Sequence, residues 1–215
     1  MTKVAVLGSG QVGEVLANGF LARGHEVLRA SREPEKLATW KAGAAAKAQT
    51  GTFAEAAAFG EIIVLAVKGS AAEAVVEAAG AERLAGKLVM DATNPIAERA
   101  PENGVLRFFT DLNQSLMERL QQKAPQARFV KAFSCVGSAF MVDPKLPGGP
   151  PTMFICGNDA DAKAEATRIL QAFGWDVSDM GKVEAARAIE PLCILWCIPG
   201  MLGQGWSHAF KLLRA

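Results

Sequence analysis

Residues 8–13 read Gly-Ser-Gly-Gln-Val-Gly, three glycines in G-x-G-x-x-G spacing directly after the apolar run "KVAVL". Each glycine answers a separate steric demand. Gly8 permits a tight turn out of a strand, Gly10 lets a pyrophosphate approach the backbone, and Gly13 lets the following helix pack closely. Ser9 lies between the first two, and Gln11 and Val12 open the helix, where free N–H groups and the helix dipole favour phosphate. A second cluster, Ser31, Arg32 and Lys36, follows the strand-like run "HEVLRA". Sites for NAD place an aspartate or glutamate at this point, to accept hydrogen bonds from the adenosine ribose. A carboxylate would repel a ribose 2′-phosphate, whereas a hydroxyl, a planar guanidinium and an ammonium one turn further on would hold it. With no competing acid in the trio, the pattern points to a dinucleotide site built for NADP(H).

The other reactive side chains supply little acid–base chemistry. Tyr is absent, and the sequence shows no Ser-His-Asp series, no metal-ligand set and no Lys-x-x-Asn pair. No catalytic side chain and no metal ligand is assigned. Asn94 and Pro95 end a strand where α/β sheets place ligands, so they read either as a contact to the nicotinamide ribose or acceptor, or as a plain turn. His25 reads as a packing or capping residue in the "RGHEV" turn, and His208, on a last helix beside Trp206, reads either as a core or surface residue or as part of a cleft wall. Trp196, Trp206 and Phe210 read as core or dimer contacts or else as a lid over a ligand ring, and Arg187 with Glu190 as a helix-surface pair. Cys135, Cys156, Cys193 and Cys197 lack C-x-x-C spacing and read as small buried hydrophobes in a reducing compartment.

The elements that must position these residues alternate along the chain. "KVAVLG", "HEVLRAS", "AAAKAQT", "EIIVLAV", "KLVMDATNP" and "RFVKAFSCV" read as strands, and the stretches between them mostly as amphipathic helices. That order predicts an α/β fold, a Rossmann-type doubly wound parallel sheet. Residues 138–151, "SAFMVDPKLPGGPP", break the texture with prolines and glycines. They divide a dinucleotide-binding unit, residues 1–139, from a small C-terminal α/β lobe, residues 140–215. The lobe reads as strand, helix, short strand and two helical stretches interrupted near Pro199. At 215 residues and net charge +1, the chain offers no field for nucleic acid. The most apolar stretch, residues 191–203, is too short to span a bilayer. With no signal peptide before the first strand, a cytoplasmic location is expected.

The segments "VAVLGSGQVG", "RASREPEK", "DATNP", "VKAFSCVG", "FICGND" and "GWDVSDMG…AARAIEPL" resemble, in order, the NADPH-dependent reductases of the deazaflavin coenzyme F-420. The reductase domains of the STEAP metalloreductases share that fold. The resemblance implies that Ser9, Ser31, Arg32 and Lys36 hold the phosphates. It also implies that Ala66, Val67 and Lys68, with the backbone near Ala132, flank the nicotinamide. A second hydride carrier would stack on that ring in a cleft closed by the C-terminal lobe. Two departures fall on the acceptor side: Lys68 replaces the usual proline, and Ser134 the usual asparagine. The implied function is hydride transfer between NADP(H) and F-420, or otherwise a flavin or quinone, in a homodimer. Two alternatives stay open at this point, an NADPH-dependent reductase of a small organic substrate and a non-catalytic NADPH-sensing protein.

Overall fold

A computed structural model describes residues 1–214. Six strands form one parallel sheet: β1 (Lys3–Leu7), β2 (Glu26–Ala30), β3 (Ala48–Gly51), β4 (Ile62–Leu65), β5 (Leu88–Asp91) and β6 (Arg128–Lys131). Their spatial order is β3-β2-β1-β4-β5-β6, the doubly wound arrangement whose winding reverses between β1 and β4. Strands β1, β4 and β5 are nearly all apolar because both faces are covered. Ala5 and Leu7 enter one core, and Val4 and Val6 the other.

The covering helices are α1 (Gln11–Ala22), α2 (Ala38–Gly43), α3 (Phe53–Phe59), α4 (Gly69–Ala79), α5 (Ala81–Leu84) and α6 (Leu116–Lys123). The stretch that reads as one helix over "SAAEAVVEAAGAERL" is split into α4 and α5 at Gly80, whose φ is +88°. Thr52 and Ser115 cap α3 and α6, each through a reciprocal pair with a glutamate three residues on.

A second, two-stranded parallel sheet pairs β7 (Thr152–Ile155) with β8 (Asp176–Asp179), connected by α7 (Ala160–Ala172). The Lys131 N–H donates to the Cys156 carbonyl at 2.9 Å, joining the edge of the large sheet to the end of β7. The chain continues through α8 (Ala186–Ile189) and α9 (Leu192–Met201). Here the structure corrects the sequence reading. Pro199 lies inside the last turn of α9, where the carbonyl its missing N–H would engage belongs to the half-exposed Leu195. Residues 202–214 form no helix, so His208 lies in an irregular tail. That tail crosses β7, where the Thr152 N–H donates to the Phe210 carbonyl at 2.9 Å. His208 stacks on Trp196, whose indole N–H donates to the His208 carbonyl at 2.9 Å.

Arg187 and Glu190 do not pair, contrary to their spacing. Arg187 reaches across to Glu118 on α6, with its Nε 3.0 Å from Oε2. Glu190 is buried and accepts from the Leu116 and Met117 N–H groups, each at 3.0 Å, so its carboxylate sits on the N-terminus of α6. It also meets Lys131 Nζ at 2.9 Å, and Lys131 meets Asp91 at 2.8 Å and donates to the Thr93 carbonyl at 2.6 Å. Burial would strip the Lys131 proton, but Asp91 and Glu190 outweigh it and hold the ammonium above the ordinary lysine range. The helix N-terminus and the Thr93 N–H and hydroxyl satisfy the remaining carboxylate oxygens. Removing the cation alone leaves two buried carboxylates without a counter-charge. Lys131→Met is therefore expected to lose about 3–5 kcal/mol of unfolding free energy in a urea titration; stability equal to that of the unmodified protein would refute this account.

Candidate functional site

The glycine turn sits where the sheet reverses, between the carboxyl ends of β1 and β4. A Cβ on Gly8 would fall inside the Ala66 carbonyl, and one on Gly13 would lie 2.5 Å from the Gly8 carbonyl oxygen. Both glycines are therefore required by backbone approaching backbone. Gly10 differs: a Cβ there would meet no atom within 4 Å. It borders open space, as a residue facing a ligand should.

Arg29 fixes the turn from beneath, and sequence reasoning missed it. It is the largest fully buried side chain in the core of β2. Its Nε donates to the Gly8 carbonyl at 3.1 Å, its Nη2 to the Gly10 carbonyl at 2.8 Å, and its Nη1 to Glu14 at 3.2 Å. The guanidinium also lies over the Trp40 ring, 5.2 Å from its centroid. Burial pulls its pKa below the ordinary arginine value, and Glu14 opposes that shift. The available signal was an arginine inside the otherwise apolar strand "EVLRA".

With its carbonyls so engaged, the turn presents N–H groups outward. Helix α1 begins at Gly10 with no side chain capping it, and α4 begins at Lys68 in the same way. The capped helices α3 and α6 have their N-termini satisfied internally. At α1 the Gln11, Val12 and Gly13 N–H groups thus remain for an anion. A groove of about 310 Å³ is lined by Gly8, Ser9, Gly10, Ser31, Arg32, Lys36, Ala66, Val67 and Lys68, while Gln11, Val12 and Gly13 follow the turn without lining it. Phe53, Ala71 and Val75 complete its apolar wall. The set fits a dinucleotide: open N–H groups for the pyrophosphate, cations at one end and apolar side chains for a flat ring.

The expected absence of a competing acid needs correction, because Glu33 also lines this groove. Ser31 is buried, with its Oγ accepting from the Glu33 N–H at 3.2 Å, while Arg32 and Lys36 are exposed.

A second pocket, about 380 Å³, adjoins the groove and shares Val67 and Lys68 with it. Its other walls include Gly69, Ser70, Ala92, Asn94, Ile96 and Glu98. Asn94 is held by its Nδ2, which donates to the Ser134 carbonyl at 2.9 Å, and its backbone carbonyl lies against Gly69, where no Cβ fits. The Asn94 Oδ1 and the Ser134 hydroxyl are buried without a partner. Pro95 and Ala132 line neither space. Pro95 is buried, with its carbonyl accepting from the Phe109 N–H at 2.9 Å. Ala132 is fully buried, with its N–H on the Asp91 carbonyl at 3.0 Å.

Comparison with known proteins separates fold from family. Residues 3–95 match the family model "NADP oxidoreductase coenzyme F-420-dependent". A solved structure of a candidate F-420-dependent NADP-reductase from Arthrobacter sp. FB24 is 35% identical over the whole of both chains, with a TM-score of 0.92. The chain belongs to the F-420-dependent NADP oxidoreductase family. It is accordingly an NADP-dependent oxidoreductase. The family reaches further: the metalloreductase STEAP3 of Rattus norvegicus is 30% identical over 99% of this chain. The chain spans 42% of that relative's length. An imine reductase from Myxococcus stipitatus is 16% identical, with a TM-score of 0.69 over 95% of this chain and 63% of its own, and shares the fold alone. Among the described residues of this oxidoreductase, no helix is long and apolar enough to cross a membrane.

The two kinds of glycine should separate on substitution. Gly8→Ala has no space for its methyl and is expected to lower the thermal midpoint clearly. Gly10→Val should unfold at the temperature of the unmodified oxidoreductase yet lose NADPH binding, because its methyl groups occupy the phosphate approach. Retained NADPH affinity in Gly10→Val would place the cofactor elsewhere.

Proposed function

We propose that this oxidoreductase passes a hydride between NADP(H) and a deazaflavin of the F-420 type. The observation that carries the reading is that the dinucleotide groove and the neighbouring pocket meet at Val67 and Lys68. Two ligands seated on either side of that junction would bring their reacting rings together. When bound, the reduced nicotinamide supplies the hydride.

The chain's own residues then bind and orient. The Gln11, Val12 and Gly13 N–H groups take the pyrophosphate, Ser9 closes the turn, and Ser31, Arg32 and Lys36 take the 2′-phosphate. Ala66 and Val67 form the floor beneath the junction, and Asn94 lies on the acceptor side, held by the Ser134 carbonyl. Hydride transfer to a planar carrier requires stacking and exclusion of water more than an acid or base. The apolar floor supports that requirement. Reduction of the deazaflavin also consumes one proton, and Lys68, exposed at the junction with Ser70 and Glu98 nearby, is the cation that stands beside it.

The division at residue 139 belongs to the same proposal: residues 1–139 hold the cofactor, and the segment from residue 140 completes the cleft. The four cysteines, all buried and free, support a reducing, cytoplasmic setting. The resemblance implies a homodimer, and the exposed Leu195, Met201, Leu202 and Trp206 on and beyond α9 supply an apolar face for one.

Two measurements test the reading. Arg32→Ala should weaken NADPH binding roughly tenfold to a hundredfold, the loss of a charge-assisted phosphate contact, with little change for NADH. Equal affinity for NADPH and NADH in the unmodified protein would reject the cofactor assignment. With excess NADPH, the purified protein should bleach F-420 absorbance, and Lys68→Pro should change the affinity for F-420 while sparing that for NADPH. Turnover of free flavin or a quinone, with none of F-420, would reject the acceptor and leave the NADPH half standing.

A further inference from the structure

Glu33 lines the same groove as Ser31, Arg32 and Lys36, the residues that the proposed function gives to the 2′-phosphate. Its carboxylate takes a hydrogen bond from Lys36 Nζ at 2.7 Å, and both residues line the groove beside Ser31 and Arg32. The contact and charge of Lys36, with a further contribution from Arg32, hold the Glu33 carboxyl below the usual carboxylate range. The backbone gives the acid little room to leave. Its N–H is tied to Ser31 Oγ, and Pro34 follows at the start of a short 3₁₀ turn. Only side-chain rotation can remove the carboxylate from the groove.

We propose that Glu33 is an internal stand-in for the 2′-phosphate and sets how strongly the protein prefers NADPH to NADH. The inference rests on the placement of that phosphate between Arg32 and Lys36. A phosphate brings three acceptor oxygens and nearly two charges, so it outcompetes a carboxylate for the same cations. It does so by parting Lys36 from Glu33 and leaving two anions side by side. NADH carries a hydroxyl at that position and requires no such exchange. Its ribose can donate to Glu33, as it does to the acid at the end of the second strand in NAD sites. Glu33 therefore penalises one cofactor and assists the other. Because Lys36 and Glu33 are 60% and 52% exposed, solvent screens the pair and the effect is modest.

The test is a calorimetric titration of the unmodified protein, Glu33→Gln and Arg32→Ala with NADPH, NADH and adenosine 2′-monophosphate, at one fixed ionic strength. Glu33→Gln should bind NADPH and adenosine 2′-monophosphate about twofold to fivefold more tightly, and NADH no more tightly than the unmodified protein does. Unchanged or weaker NADPH binding by Glu33→Gln, where Arg32→Ala still weakens it, overturns the role of Glu33. Equal tightening of NADPH and NADH overturns it too, since a general charge effect would then suffice. NADPH binding untouched by Arg32→Ala overturns instead the phosphate placement beneath the proposal.

Discussion

The backbone of Gly8 passes so close to the Ala66 carbonyl that no side chain can stand between them. This contact sits where the sheet reverses its winding, and it brings the ends of β1 and β4 together. The Gly8 carbonyl in turn lies against Gly13, so α1 is drawn onto the strand it follows. Arg29 then occupies the carbonyl side of the turn with three hydrogen bonds. The result is a loop whose Gly8 and Gly10 carbonyls are engaged inside the protein, ahead of a helix start that no side chain caps. An anion-binding surface follows from those constraints before any ligand is considered.

Much of this was legible in the sequence because it is local. Strands buried on both faces read as unbroken apolar runs, glycines at fixed spacing mark a turn, and Ser31 and Arg32 lie next to the strand that positions them. What escaped was charge acting at long range. Asp91, Lys131 and Glu190 each lie within a motif that drew notice for other reasons, yet nothing in their spacing shows that they meet. Glu190 was misread because three-residue separation from Arg187 is a real helical signal, overridden here by a stronger one, two free N–H groups on α6. Glu33 was passed over because it follows Arg32 directly, and adjacency in a chain says nothing about sharing a groove. The tail failed as a helix for another reason: its hydrogen bonds go to β7 and to Trp196 instead of to itself.

The two ends of the groove differ in kind. The end near Ser31, Arg32 and Lys36 is built from charged and polar groups. The junction at Val67 and Lys68 is built from small apolar residues and one exposed cation, and the adjoining pocket is lined by Asn94, whose buried Oδ1 is left without a partner. Unmet hydrogen-bonding capacity of that kind is costly in an interior and acceptable beside a ligand.

The bond between Glu190 and the start of α6 also carries a chronology. As the chain leaves the ribosome, β5, α6 and β6 are all available well before residue 190 emerges. Asp91 and Lys131 can pair at once, but the Leu116 and Met117 N–H groups have no partner from the nascent segment and must stay hydrated. Only when α8 docks does the carboxylate arrive, expelling water from the helix end and placing a second anion on Lys131. The large sheet can therefore assemble early in outline, while its edge tightens in a late step that spans a long loop. The C-terminal segment is in this sense a latch in time as well as in space: the finished edge records that synthesis has passed α8.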